Sequence, residues 1–247
     1  MPIFAPNRPG RRPGRLFALP LLSACSLAVV AAASVLPAAA IAQADDQALW
    51  HGAGTVAPVD ATIEPVYGQP ISDFSLIVWI DPECPYCKAF GRTPEAVVDA
   101  SKGRVNLAVR LLPLPMHGRA AILASATAIC VNKQASAMGY YQFLDRYLEL
   151  TGTNGAGLPA ASGSSVEALA REAGVRDMGA LDACVHAPET IRQLGQGFDA
   201  ANTAGVTGTP AIVVRDNRNG LVAMAEGAIE AEEIERVIRL LVARTTN

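Results

Sequence analysis

Acidic residues are missing from the first 44 positions: the earliest are Asp45 and Asp46, and the charges before them are Arg8, Arg11, Arg12 and Arg15. An uncharged, mostly apolar run from Leu16 to Ala42 follows the arginines, and Ala42-Gln43-Ala44 has the small-x-small form of a cleavage site. Residues 1–44 therefore read as a secretion signal, and the protein is expected in the periplasm. The apolar run is also long enough to span a bilayer if it is retained. Leu22-Ser23-Ala24-Cys25 has the form of a lipoprotein cleavage box, but the residues after Cys25 stay apolar where a lipoprotein turns polar.

Basic residues are few beyond that segment. Without its four arginines the chain keeps 16 basic against 23 acidic residues, a net charge of −7. A nucleic-acid footprint would be basic and clustered, so that class of partner is excluded. Histidine is scarce too: His51, His117 and His186 are scattered, and no second close cysteine pair accompanies the one at Cys84 and Cys87. A zinc site usually needs four ligands at short spacings, so neither a metal nor another cofactor is expected. The Gly/Ser-rich stretch from Thr151 to Ser165 has no strand entering it and no Lys-Ser/Thr after it, which excludes a phosphate loop and leaves a plain flexible connection.

Against these absences stands a clear order of elements. Residues 45–72 form a short N-terminal segment with one candidate strand near Thr55–Val59. Phe74–Ile80 is almost continuously apolar and rich in β-formers, the pattern of a strand buried on both faces. It leads straight into Cys84-Pro85-Tyr86-Cys87. A helix is expected from Lys88 to Ser101, kinked at Pro94, and a second strand from Val105 to Leu112. Residues 116–204 read as a helical insertion. A hairpin of Ala211–Arg215 and Leu221–Ala225 about the turn Asp216–Gly220 follows, and then an amphipathic helix from Glu230 to Ala243. The expected fold is α/β, a thioredoxin-like domain over residues 73–247 with that insertion between its βαβ and ββα halves.

The strand-motif-helix-strand context is what makes a bare Cys-x-x-Cys specific. At a helix start the unpaired backbone N–H groups and the positive dipole end stabilise a thiolate, so Cys84 is the expected nucleophile. Cys87, one turn inside, is the expected resolving thiol, and exchange through a mixed disulfide is the expected reaction. Four cysteines outside residues 1–44 allow three pairings; a local Cys84–Cys87 pair would leave Cys130 and Cys184 for each other. The competing function is a metal-binding chaperone or assembly factor built on the same fold.

The segment Trp79-Ile80-Asp81-Pro82-Glu83-Cys84-Pro85-Tyr86-Cys87-Lys88 resembles the active-site segment of the bacterial periplasmic disulfide isomerases DsbC and DsbG, its Pro-Tyr dipeptide being closer to DsbG. Leu114-Pro115-Met116-His117-Gly118 is similar to the segment after the second strand in DsbC. The run from Gly205 to Val214 is similar to the loop and strand that carry the family's cis-proline. The resemblance implies that Cys84 and Cys87 are catalytic and that Thr209 and Pro210 bind substrate beside them. It further implies that Cys130–Cys184 is a structural disulfide, and that the partners are disulfide-bearing proteins and a periplasmic or membrane redox partner.

Only about 29 residues separate Ala44 from Phe74, too few for the dimerisation domain of those isomerases, so a monomer is expected. Six residues before Cys84, where thioredoxins have a buried acid, stands Val78; the nearer acids Asp81 and Glu83 are open candidates for a proton relay. His117 reads as a loop histidine that shapes the insertion.

Overall fold

The computed structural model describes residues 49–245, so the expected signal segment, 1–44, lies outside the described residues. A two-residue strand β1 (Val66–Tyr67) precedes β2 (Phe74–Ile80), whose seven residues are all buried. β2 pairs in parallel with β3 (Val105–Leu111) and antiparallel with β4 (Ala211–Asp216), which pairs with β5 (Val222–Glu226). The sheet order is β1-β3-β2-β4-β5. A central strand covered on both faces cannot alternate polar and apolar residues, which accounts for the run Phe-Ser-Leu-Ile-Val-Trp-Ile.

The candidate strand near Thr55–Val59 does not form. Its backbone donors are taken elsewhere: Gly54 and Thr55 donate to the carbonyls of Ala204 and Thr203, at 2.8 and 3.1 Å, and Pro58 has no N–H to give a ladder. The segment closes a helix end instead of a sheet edge.

After β2 come two helices rather than one kinked helix, α1 (Pro85–Phe90) and α2 (Thr93–Ala100). Pro94 lacks an N–H and its ring excludes the carbonyl one turn back, so the break falls ahead of it and Pro94 enters the first turn of α2. Gly91 takes φ +48° at the break, which a residue with a Cβ resists.

The insertion opens with a short turn at Pro115–His117 and continues as α3 (Gly118–Gln134), α4 (Ala137–Leu150), α5 (Val166–Glu172), α6 (Met178–Val185) and α7 (Pro188–Ala204). Ser136, Ser165 and Asp177 start α4, α5 and α6 by accepting N–H bonds with their side chains. Cys130 in α3 and Cys184 in α6 are joined by a disulfide. Helix α8 (Ala231–Thr245) follows the hairpin and buries Ile234, Val237 and Leu241.

Side-chain alternation along β2 divides the core. Leu76, Val78 and Ile80 pack with Cys87, Phe90, Val97, Leu144 and Ile234, and Ile77 and Trp79 pack on the other face with Ala204, Val206 and Val213. No helix among the described residues is long and apolar enough to cross a membrane.

The disulfide spans a sequence separation of 54 residues. In the loop-entropy account its loss costs about 4 kcal/mol, so Cys130→Ala with Cys184→Ala is expected to lower the unfolding free energy by about that amount in urea titration. A loss under about 1 kcal/mol would show that packing alone holds α6 on α3.

Candidate functional site

The end of β2 becomes the site through two buried acids. Asp81 is 0% exposed: its Oδ1 accepts the Glu83 N–H at 2.7 Å, its Oδ2 accepts the Leu114 N–H at 2.7 Å, and its backbone carbonyl accepts the Cys84 N–H at 3.0 Å. His117 Nδ1 lies 2.6 Å from the same Oδ2. The histidine expected to shape the insertion thus sits on the carboxyl that sets the turn into α1.

Glu83 is equally buried and holds the segment that read as a plain connection. Its Oε1 accepts from the Tyr147 hydroxyl at 2.7 Å and from the Thr151 hydroxyl, its Oε2 accepts the Gly157 N–H at 3.0 Å, and its carbonyl accepts the Asn154 N–H at 2.7 Å. A buried carboxyl needs such donors, and loop backbone supplies them. Gly155 turns here at φ +83°, where a Cβ would stand 2.9 Å from the His117 carbonyl. Thr151–Ser165 is therefore a fitted cover over Glu83 in its first half, which its composition does not reveal. Lys88 ties α1 to the same cover, its Nζ donating to the Thr151 carbonyl at 2.8 Å.

Cys84 occupies the N-cap of α1 with extended backbone, φ −76° and ψ 125°, and Pro85 begins the helix. Its Sγ lies 3.2 Å from the Thr209 carbonyl oxygen, which accepts a hydrogen bond from the protonated thiol only. The Thr209–Pro210 peptide bond is cis and precedes β4. Glu226, at the end of β5, fixes this loop by accepting the Thr207 N–H at 2.6 Å, the Thr207 hydroxyl and the Gly208 N–H at 3.3 Å. No local pattern in the sequence marks Glu226, whose role depends on the register of β4 with β5.

Both cysteines are buried, Cys84 at 4% exposure and Cys87 at 1%. The loop carrying Thr209 lies against the sulfur, and Tyr86 of the motif reaches solvent at 66% exposure. What separates the two cysteines is stabilisation of charge. The Cys87 thiol first, and then the N–H groups of Cys87 and Tyr86, favour the Cys84 thiolate against burial and hold its pKa down to about 5. Burial first, and then its hydrogen bond and charge interaction with Cys84, push the Cys87 thiol well above the usual thiol range.

The structure thus brings together Cys84, Cys87, Thr209 and Pro210. Cys130 and Cys184 stand apart, in the helical insertion. Among the described residues no group of three or more His, Cys, Asp or Glu side chains is arranged to hold a metal ion.

A thioredoxin family model matches residues 60–239. The crystal structure of Pseudomonas aeruginosa DsbA2 is similar at a TM-score of 0.63 and 28% identity, covering 76% of this chain and 97% of that one. A thioredoxin-like oxidoreductase from Silicibacter pomeroyi DSS-3 is similar at 0.59 and 25%, over 76% and 99%. Chlamydia trachomatis DsbA shares the fold at 0.59 and 22% identity, over 78% and 97%. No curated protein matches.

Alkylation rate against pH is expected to show a midpoint for Cys84 near 5 in the reduced protein. A midpoint at or above about 8.5 would contradict the donor set. Because the folded pKa lies below the ordinary thiol value of 9.0, the thiolate stabilises the reduced fold fully above pH 9, and that gain is lost as pH falls through about 5. Reduced wild type should therefore gain stability over reduced Cys84→Ser as pH rises from 5 to 9 in chemical denaturation, and parallel curves would contradict this.

Proposed function

The chain belongs to the thioredoxin family, and from that premise we propose that it is an exported thiol–disulfide oxidoreductase that passes a Cys84–Cys87 disulfide to protein thiols. The observation that carries the reading is the placement of Cys84 at the N-cap of α1, against the Thr209 carbonyl ahead of the cis proline, where its thiolate is favoured. A dithiol whose reduced form is stabilised makes its disulfide the stronger oxidant, which favours donation over isomerisation or reduction. The likeness to DsbA2 points the same way; the resemblance to DsbC and DsbG in the motif supports the wider exchange chemistry.

In the proposed turnover a substrate thiolate attacks Cys84 Sγ. The Cys84–Cys87 bond breaks, its electron pair passes to Cys87 Sγ, and that sulfur takes a proton because burial disfavours its anion. A second substrate thiolate then attacks the substrate sulfur of the mixed disulfide and displaces Cys84 as a thiolate. Two electrons have moved from the substrate to the cysteine pair. A separate redox partner, in the membrane or the periplasm, must take them on. The substrate chain lies along Thr209, beside the exposed Tyr86 of the motif, pairing with backbone as an added strand. Export accords with the arginine-flanked apolar N-terminal segment and with the Cys130–Cys184 disulfide, which an oxidising compartment preserves.

The test is refolding of a reduced multi-cysteine protein by stoichiometric oxidised enzyme, alongside turbidity from insulin reduction. Disulfides should appear in the substrate as the enzyme is reduced, and Cys84→Ala should abolish this. Given a disulfide-bearing substrate, Cys87→Ala should accumulate mixed disulfides on non-reducing gels, because Cys84 attacks and nothing resolves the product, while Cys84→Ala traps none. Rapid insulin reduction without substrate oxidation would assign the chain to the reductases instead.

A further inference from the structure

The turnover needs a proton at Cys87, and the structure places an unused carboxyl beside it. Cys87 and Glu95 line one small cavity of about 20 Å³ beneath α1, together with Val78, Tyr141, Leu144 and Asp145. Glu95 is 4% exposed, and its Oε2 has no hydrogen-bond partner. An unpaired buried carboxyl oxygen is costly and calls for an explanation. The cavity exceeds the roughly 10–15 Å³ that one water molecule requires. Tyr141 does not serve the orphan oxygen, because its hydroxyl faces β3 and donates to the Leu107 carbonyl at 2.8 Å.

We propose that Glu95 is the proton donor and acceptor for Cys87, acting through one water molecule held in this cavity. When the Cys84–Cys87 bond is cleaved, the Glu95 carboxylic acid gives its proton through the water to the departing Cys87 sulfur and becomes a carboxylate. When Cys87 attacks a mixed disulfide at Cys84, its thiol proton returns to the Glu95 carboxylate, the new sulfur–sulfur bond forms and the partner leaves as a thiolate. The inference rests on the exchange chemistry proposed above for the cysteine pair.

The charged and titratable groups facing Glu95 are Asp145 and Tyr141 from α4, Arg92 ahead of α2, Asp99 on α2, Tyr67 on β1 and Cys87 on α1. Burial, and then the charge of Asp145, push the Glu95 carboxyl up to about 7, so both of its forms are present at neutral pH. Asp145, 3.2 Å from Arg92, lines both this cavity and an outer groove of about 590 Å³, as do Gly91 and Leu148. That pair gives the buried carboxyl a route to solvent.

The test mixes reduced protein with an aromatic nitro-disulfide that releases a coloured thiolate. Attack by Cys84 gives a first release, whose rate depends on reagent concentration. Attack by Cys87 on the resulting mixed disulfide gives a second release that does not. In wild type the second rate should rise through an inflection near pH 7. Glu95→Gln should remove the inflection and slow the second phase by about 10- to 100-fold at pH 7, with partial recovery in Glu95→Asp. A Gln variant that keeps the wild-type second phase, or slows it equally at every pH with the inflection intact, would overturn the relay. Absence of the first phase in wild type would overturn the proposed function, and the relay with it. Should Glu95→Gln fail to fold, infrared difference spectra of the wild-type dithiol and disulfide forms near pH 7 decide. A change in a protonated-carboxyl band is expected, and no change overturns the proposal.

Discussion

A sulfur anion with almost no contact with water is the constraint that organises this fold. Burial alone would drive the Cys84 proton back onto the sulfur, so the thiolate exists only where donors outweigh desolvation. The Cys87 thiol and the first N–H groups of α1 are those donors, and the Thr209 carbonyl, from a segment far apart in sequence, packs 3.2 Å from the same sulfur. Their alignment depends on β2 and β4 being neighbours in register, with Trp79 opposite Ala211, so that the loop before β4 meets the helix after β2.

The buried acids on either side of the turn work to the same end. Asp81 fixes the entry to α1 through three backbone groups and His117, while Glu83 draws in the segment after α4. The helical insertion is thereby tied to the reactive turn at its start and again in the segment after α4. The 3.0 Å bond from the Cys84 N–H to the Asp81 carbonyl makes the position of the nucleophile depend directly on that turn.

Much of this was legible in the residues because the signals are local. Seven apolar residues without alternation make β2, Asp216–Gly220 makes the hairpin turn, and Cys84 with Pro85 opens a helix. What escaped was set by tertiary pairing. Thr55–Val59 has strand-like composition, but the backbone donors at its start are taken by the end of α7. Pro94 signalled a disturbance correctly in kind, and the chain resolved it as a break at Gly91 rather than a bend. Thr151–Ser165 has the composition of a linker, and only the burial of Glu83 reveals why its backbone is held. The burial of Cys84 and the roles of Glu226 and Glu95 depend on loops meeting across the sheet, which no local pattern records.

The account stands or falls on whether the Cys84 thiolate makes the pair an oxidant, and the reduction potential measures this directly. Equilibration of the wild-type protein with glutathione buffers at pH 7, read by trapping free thiols, should place the Cys84–Cys87 couple nearer the about −120 mV of a strong periplasmic oxidant than the about −270 mV of thioredoxin. A value near or below about −270 mV would show that the donors around Cys84 do not stabilise the reduced form, and would contradict the account.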